Sequence, residues 1–240
     1  MLTQNPVTDP ADRLIFALDV PDADHARRLI ATLGDHVRYY KLGLELFLSG
    51  AYFELADELN TAGKQVFADL KLFDVPATVG RAVAQLSRRG VDFITVHGQD
   101  AMLAEAAANK GDSRILAVTA LTSLDQGDLD DLGFDCDVAA LVLSRARRAL
   151  KLGCDGVVSS GLEVPALRAG ADPALIAVCP GIRPVANTDD QKRTLSVEQA
   201  FANGADYIVV GRPIRDADDP AGAAAAIQAQ IESVFGNENS

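Results

Sequence analysis

The sequence is poor in cysteine and in basic residues, and each shortage excludes a class of protein. The three cysteines, Cys136, Cys154 and Cys179, are widely spaced and form no CxxC pair. We therefore expect them to be packing residues in a reducing compartment, without a disulfide or a metal. The net charge of −12 argues against a nucleic-acid partner, because such a partner requires a basic patch. A small anionic ligand is still allowed, since one phosphate needs only a local group of donors.

Long apolar runs and targeting signals are missing as well. No run approaches the ~18 apolar residues that a membrane span requires. Residues 1–12 are polar, carry no basic-then-apolar signal pattern, and are expected to be loosely ordered. These absences predict a cytoplasmic protein without a membrane partner.

The length and composition favour one globular domain. Hydrophobic residues make up 48% of the 240-residue chain, which excludes a disordered protein. Single α/β barrels commonly contain about 250 residues. We therefore expect residues 1–240 to form one domain.

Eight short apolar runs alternate with stretches of helical period. The runs are rich in Val, Ile and Leu and do not alternate with polar residues, as is typical of parallel strands buried on both faces. Four glycines lie just before a strand, where a helix ending in a left-handed residue is expected: Gly34, Gly90, Gly153 and Gly204. The predicted strands are residues 14–19, 37–41, 66–70, 93–96, 115–119, 156–158, 175–179 and 207–210, and clear helices are predicted at 22–33, 78–89, 138–151 and 220–235.

This repeat predicts an α/β fold, a closed (β/α)₈ TIM barrel. An open doubly wound sheet is the alternative, but the chain has no GxGxxG after the first strand and no GxxxxGK[ST] motif. Two connections, residues 123–137 and 181–191, are long and polar. They are interpreted either as functional loops or as ordinary surface loops.

Polar residues gather at the carboxyl ends of the predicted strands, where barrels of this kind have their active sites. Charges there are costly to bury unless they are paired. The residues at or just beyond the strand ends are Asp19, Lys41, Asp69, Lys71, Asp74, His97, Thr122, Ser123, Ser159, Ser160, Arg183 and Arg212.

The third-strand segment FADLKLFDVPAT is the most informative motif. Asp69 and Lys71 are two residues apart, so they share one face of an extended strand. Lys41 ends the neighbouring strand and Asp74 follows at the turn, which predicts an alternating lysine and aspartate array. Such an array keeps each charge ionised and holds an ammonium where a carbanion could be protonated. The alternative is a structural ion pair, with Asp74 capping a helix that has Pro76 in its first turn.

Four segments resemble the orotidine 5′-monophosphate decarboxylase family: FALDV with Asp19, YYKLGLELF with Lys41, DLKLFDVPATV, and IVVGRPI. The resemblance covers about residues 14–214 and implies a homodimeric (β/α)₈ barrel without metal or organic cofactor. It also implies a pyrimidine nucleoside monophosphate as substrate, in UMP biosynthesis. Two positions depart from the family pattern. Ala77 stands where the family commonly has Asn, and His97 is followed by GQDAML in place of a glycine pair, so His97 is given no catalytic role.

The same resemblance implies a role for each matching position. Lys71 would donate the proton to the ring carbon, Asp69 would lie beside the leaving carboxylate, and Lys41 would hold Asp69 and a ribose hydroxyl. Among the remaining positions, Asp19 would bind the ribose, Asp74 and Thr78 would act across the dimer interface, Thr122 and Ser123 would contact the pyrimidine, and Arg183, Gln191, Gly211 and Arg212 would bind the phosphate.

The loops after strands seven and eight support a phosphate site independently. PGIR, with Arg183, follows the seventh strand, and Gly211 and Arg212 follow the eighth. These loops form the usual phosphate site of a barrel. Two rival functions are considered: a Mg²⁺-dependent sugar-phosphate decarboxylase or aldolase with a Glu in place of Lys41, and an inactive phosphate-binding scaffold.

Overall fold

The computed structural model describes residues 7, 9–121, 123–183 and 195–236. Eight parallel strands close into a barrel in chain order, and the last strand pairs with the first. This confirms the predicted (β/α)₈ barrel. The strands are β1 (Leu14–Ala17), β2 (Tyr39–Leu42), β3 (Gln65–Leu72), β4 (Phe93–His97), β5 (Arg114–Val118), β6 (Gly156–Val158), β7 (Ile176–Cys179) and β8 (Tyr207–Val210).

Helices connect successive strands. No helix in the described ranges combines the length and the apolarity needed to cross a membrane. The helices are α1 (Ala23–Leu33), α2 (Leu44–Leu48), α3 (Tyr52–Thr61), α4 (Pro76–Ser87), α5 (Asp100–Ala108), α6 (Gln126–Asp131), α7 (Val138–Lys151), α8 (Val164–Gly170), α9 (Val197–Ala202), α10 (Arg212–Arg215) and α11 (Pro220–Phe235), with 3-10 turns at Pro10–Arg13 and Gly34–His36.

The apolar core has an inner and an outer part because strand side chains alternate between two faces. In β1, Ile15 and Ala17 face the barrel interior, whereas Leu14 and Phe16 pack under the helices. Both faces of β1, β2 and β8 are buried throughout. The unalternating apolar runs are thus explained. The inner part is Ile15, Ala17, Tyr39, Phe67, Phe93, Leu116, Val178, Tyr207 and Val209.

Several predicted boundaries shift. β1 ends at Ala17, so Asp19 lies beyond the strand and not at its last position. Helix α4 begins at Pro76, two residues before the predicted start, because proline suits the first helical position. Its N-cap residue is Val75, so the interpretation of Asp74 as a helix cap is wrong.

The end of the expected loosely ordered segment is regular. Pro10–Arg13 form a 3-10 turn in which the Ala11 amide donates to the carboxylate of Asp9 at 2.9 Å. Regular structure therefore begins at Pro10, inside the segment that was expected to be loosely ordered. Residues 1–6 and 8 lie outside the described residues.

The prediction for the glycines is confirmed, and the prediction of packing cysteines is confirmed at two of three positions. Gly34, Gly90, Gly153 and Gly204 all have positive φ, between 51° and 97°, which a residue with a Cβ adopts only at a cost. The cysteines are all free. Cys154 and Cys179 are buried packing residues, whereas Cys136 is partly exposed.

Strand β3 is irregular at the point where the chemistry is expected. Ala68 pairs with Ile94 and Leu72 pairs with Val96, so β3 spans four residue steps where β4 spans two. The two extra residues form a β-bulge, which bends the strand. Within the bulge Lys71 has a φ of 47°, and among the described residues it is the one non-glycine residue with positive φ.

Candidate active site

Four charged side chains from the first three strands form a continuous chain at the mouth of the barrel. Lys41 Nζ lies 3.0 Å from Asp19 Oδ1 and 3.3 Å from Asp69 Oδ2. Lys71 Nζ lies 2.9 Å from Asp69 Oδ1. The order is therefore Asp19, Lys41, Asp69, Lys71, with charges of alternating sign.

The pairing outweighs the cost of burial. Burial disfavours the charge on Lys41, but Asp69 and Asp19 more than compensate and raise the pKa of the Lys41 ammonium. Burial likewise opposes ionisation of Asp69, yet Lys41 and Lys71 lower the pKa of its carboxyl group. The side chains of Lys41 and Asp69 are only 11% and 12% exposed, whereas that of Lys71 is 35% exposed. Lys71 is therefore the more accessible of the two ammonium groups.

Asp74 and Thr78 were expected to belong to a site as well, and in a single chain neither joins the array. The exposed Asp74 carboxylate accepts a hydrogen bond of 2.6 Å from the Val75 amide. Thr78 Oγ1 accepts one of 3.2 Å from Arg81. Neither residue is among the described residues that line the cavity beside Lys71. Within one chain the array therefore consists of Asp19, Lys41, Asp69 and Lys71, and the place of Asp74 and Thr78 in a partner's site stays a prediction.

A cavity of about 270 Å³ opens beside these charges. Its floor is the uppermost layer of the barrel interior, so an apolar surface faces a charged one. Small-molecule sites typically combine these two features. Its apolar described lining is Ala17, Phe67, Val118, Ala120, Leu121, Val158, Pro180 and Val209.

The lining of the same cavity includes predicted phosphate residues. Arg183, Gly211 and Arg212 all line it. Gly211 packs so closely that a Cβ there would lie 3.3 Å from the Cβ of Ala17. Gln191 lies outside the described residues. Arg183 donates its amide to the Leu195 carbonyl at 2.9 Å.

The residues matched to pyrimidine contacts are only partly described. Thr122 lies outside the described residues. Ser123 is exposed and is not part of the described lining, although Leu121 is. The loop that follows contains α6, which begins with a capping box between Asp125 and Asp128. The long connection 123–137 therefore contains regular structure of its own.

The other polar residues at strand ends serve the fold. Ser159 Oγ donates to Glu163 Oε2 at 2.7 Å, and the Ser160 amide donates to the same oxygen at 3.2 Å. The His97 ring packs edge-on against Phe73 at 4.9 Å between centroids. Burial, with help from Arg145 and Lys71, lowers the pKa of His97.

Sequence reasoning missed two residues of the site. Arg215 lines the cavity and donates to the backbone carbonyl of Asp19 at 2.8 Å. Thr95 is fully buried in β4, and its hydroxyl lies 3.1 Å from Asp69 Oδ1. The spacing of RPIR places Arg215 on the same face of a helical turn as Arg212, which was a usable signal. Thr95 gave none, because it stands inside an apolar run.

The donor set does not resemble a metal site. Within the described residues, no three His, Cys, Asp or Glu side chains lie close enough together to hold a metal ion. Asp69, the most buried carboxylate of the array, already has an ammonium on each of its two oxygens.

The closed parallel barrel and the charged cavity at the carboxyl ends of its strands define a (β/α)₈-barrel enzyme. A family model described as "Orotidine 5'-phosphate decarboxylase / HUMPS family" matches residues 12–227. The chain belongs to this family.

Similar proteins include two named orotidine 5'-phosphate decarboxylase. The one from Methylococcus capsulatus is 68% identical over 227 residues, 94% of each chain. The one from Xanthomonas campestris pv. campestris (strain 8004) is 53% identical over 225 residues, 92% of this chain and 93% of the relative. Among solved structures, orotidine 5'-phosphate decarboxylase from Lactobacillus acidophilus superposes with a TM-score of 0.81 at 32% identity, covering 92% of this chain and 99% of that one.

Proposed function

We propose that this chain removes carbon dioxide from orotidine 5′-monophosphate to give uridine 5′-monophosphate, in de novo pyrimidine biosynthesis in the cytoplasm. One observation carries the proposal: Lys71 Nζ stands 2.9 Å from Asp69 Oδ1 in the wall of a cavity that Arg212 also lines. The names of the relatives at 68% and 53% identity support the same reaction.

The chemistry follows from an ammonium held in place. The bond between the ring carbon and the carboxylate breaks, its electron pair stays on the ring carbon, and carbon dioxide leaves. The Lys71 ammonium stabilises this carbanion and donates a proton to it, and the resulting amine regains a proton from water. Lys71 is already oriented by Asp69, so little reorganisation is required in the transition state.

The other charges of the array position the reactants. Asp69 lies beside the substrate carboxylate and holds Lys71 Nζ in place by a hydrogen bond of 2.9 Å. Lys41, held between Asp69 and Asp19, donates to a ribose hydroxyl, and Asp19 accepts from the ribose. Asp19 is the most exposed member, at 44% of its side chain, as suits a group that contacts a ligand at the mouth.

Arg183, Gly211, Arg212 and, by the resemblance, Gln191 bind the phosphate, while Thr122 and Ser123 contact the pyrimidine. Arginine forms charge-assisted forks with phosphate oxygens, and glycine allows close approach of the backbone. The phosphate contacts are remote from the reacting carbon, so their binding energy serves to orient the ring.

The active unit in this proposal is a homodimer of single-domain chains, with Asp74 and Thr78 completing the partner's site. Large apolar side chains are exposed on α2 and on the turn after β3, two neighbouring elements at the barrel mouth. Leu48 is 82% exposed, Phe73 61% and Val75 63%. Exposed large apolar side chains of this kind are typical of an interface between protein chains. The carboxylate of Asp74 lies between two of these residues in sequence.

No metal or organic cofactor takes part in the proposed reaction. The rival Mg²⁺-dependent sugar-phosphate reaction needs carboxylates around a cation. Here the Lys41 ammonium lies within 3.3 Å of both Asp19 and Asp69, where it would repel a divalent ion.

The test is to follow the conversion of orotidine 5′-monophosphate by chromatography in excess EDTA and in added Mg²⁺. We expect the same rate in both, because ammonium groups supply the charge. The Lys71→Ala variant, purified identically, controls for contaminating enzymes and should be inactive. Activity lost on chelation and restored by Mg²⁺ would favour the sugar-phosphate alternative. Binding without turnover would favour the scaffold.

A further inference from the structure

We propose that Thr95 is a positioning residue for this reaction: its hydroxyl holds the backbone of Lys71 and the carboxylate of Asp69 in the geometry that proton transfer requires. The inference rests on the proposed function, which it deepens. It assigns a role to a residue of β4 that carries no charge and does not line the described cavity.

The first observation is the gap in the β3–β4 ladder. Ala68 and Leu72 pair with Ile94 and Val96, so Thr95 alone faces the three residues between them. A bulge leaves backbone groups without their ladder partners. The Thr95 hydroxyl takes the place of the missing acceptor, since the Lys71 amide donates to Thr95 Oγ1 at 2.9 Å.

The second observation is the direction of the hydroxyl proton. A hydroxyl has one donor and can accept as well. Thr95 Oγ1 lies 3.1 Å from Asp69 Oδ1 and 3.4 Å from the Ala68 carbonyl. The carboxylate is the nearer and the charged acceptor, so it receives the proton. One hydroxyl thereby connects the backbone of the proton donor to its counter-ion.

These bonds fix two otherwise adjustable features. Lys71 has a φ of 47°, a conformation that a residue with a Cβ keeps only when its surroundings hold it. Asp69 presents Oδ1 to Lys71 and Oδ2 to Lys41, and the Thr95 bond to Oδ1 prevents the carboxylate from rotating. Without the hydroxyl, the partly buried Lys71 amide loses its acceptor and the bulge can relax.

The test compares Thr95→Val, which keeps the shape and removes the hydroxyl, with Thr95→Ser, which keeps the hydroxyl. The matched control is Thr119→Val. Thr119 is equally buried just beyond the end of β5, and its hydroxyl donates only to the Val158 carbonyl at 3.4 Å. For decarboxylation of orotidine 5′-monophosphate we expect Thr95→Val to lower kcat about 100-fold, with KM changed less than about threefold. Thr95→Ser and Thr119→Val should stay within about threefold of the unaltered chain in both constants.

Hydrogen exchange at the Lys71 amide provides a readout that does not depend on activity. The amide should exchange much faster in Thr95→Val than in Thr95→Ser or Thr119→Val. If Thr95→Val does not fold, Thr95→Ala and Thr95→Ser form a second pair that differs by one oxygen atom. Slow exchange in the variant without the hydroxyl, or equal kcat within the pair, would overturn the proposal. An unaltered chain that does not decarboxylate the substrate would instead refute the proposed function, with the exchange result still deciding the role of Thr95.

Discussion

At the scale of single residues, the site depends on one carboxylate shared by two ammonium groups. Asp69 is 12% exposed and has Lys41 on one oxygen and Lys71 on the other. Such a buried charge is stable only while its partners are present. The pairing accordingly raises the pKa of Lys41 and lowers the pKa of Asp69, so each of these two buried groups favours the charged form of the other.

Replacing Asp69 by Asn tests this dependence through protein stability. Removing one partner from a buried charge pair costs roughly 3 kcal/mol. The folded-state pKa of Asp69 is lowered below its ordinary 3.8, so its stabilisation is present above pH 3.8 and is lost as the pH falls below that value. The folded-state pKa of Lys41 is raised above 10.5, so its contribution persists up to pH 10.5 and is lost above it.

We therefore expect the free energy of unfolding of wild type to exceed that of Asp69→Asn by a constant amount from pH 3.8 to 10.5. The difference should shrink below and above this range. Denaturant unfolding at a series of pH values measures it. Asp19→Asn is the control, because the 44% exposure of that side chain limits the effect to less than about 1 kcal/mol. A gap that widens as the pH falls would contradict the assigned pairing.

At the scale of elements, the turns after the strands decide which side chains meet. Gly43 joins β2 to α2, and a Cβ there would lie 3.0 Å from Asp19 Oδ1 and 3.5 Å from Lys41 Nζ. The glycine thus leaves the space in which this ion pair forms. Its φ of −105° is accessible to any residue, so the reason for glycine here is packing.

Gly43→Ala should therefore impair the site without disturbing the fold. We expect the ion pair between Lys41 and Asp19 to be displaced and kcat/KM to fall about tenfold, the loss expected for one charge-assisted hydrogen bond. Stability should stay within about 1 kcal/mol of wild type. Gly236→Ala, where a Cβ would meet nothing within 4 Å, is the control. Equal kcat/KM values in both variants would remove Gly43 from the site.

At the scale of the whole molecule, a single barrel leaves part of the expected site unused. Asp74 is exposed and bonds only locally, to the Val75 amide, among the contacts described. A two-fold axis through the apolar surface of α2 and the turn after β3 would bring Asp74 to the neighbouring chain. Each site would then contain residues of both chains.

Mixed dimers of Lys71→Ala and Asp74→Asn test this arrangement. Each variant alone should be almost inactive. In a mixed dimer one site carries both defects and the other carries neither, and about half of the refolded dimers are mixed. Activity should therefore recover to roughly a quarter of wild type. No recovery, with mixed dimers verified by mass spectrometry, would place Asp74 in the site of its own chain.

The sequence by itself determined the barrel, its eight strands and the charged residues at their ends. Unalternating apolar runs can be buried only between two layers, and charged residues at the ends of such runs can lie only at the mouth. The position of charged residues at the ends of apolar runs also identified Lys41, Asp69 and Lys71 as site residues.

Only the tertiary structure decided how those charges connect. The bulge in β3 exists because the strand must keep its pairing with β4 while two extra residues turn Lys71 toward the cavity. No local pattern encodes this, and so neither Thr95 in the facing strand nor the pairing of Lys41 with Asp19 could be anticipated. Contacts between residues 24 or 26 positions apart, such as those of Thr95 with Lys71 and Asp69, depend on strand register, which is fixed by packing across the whole barrel.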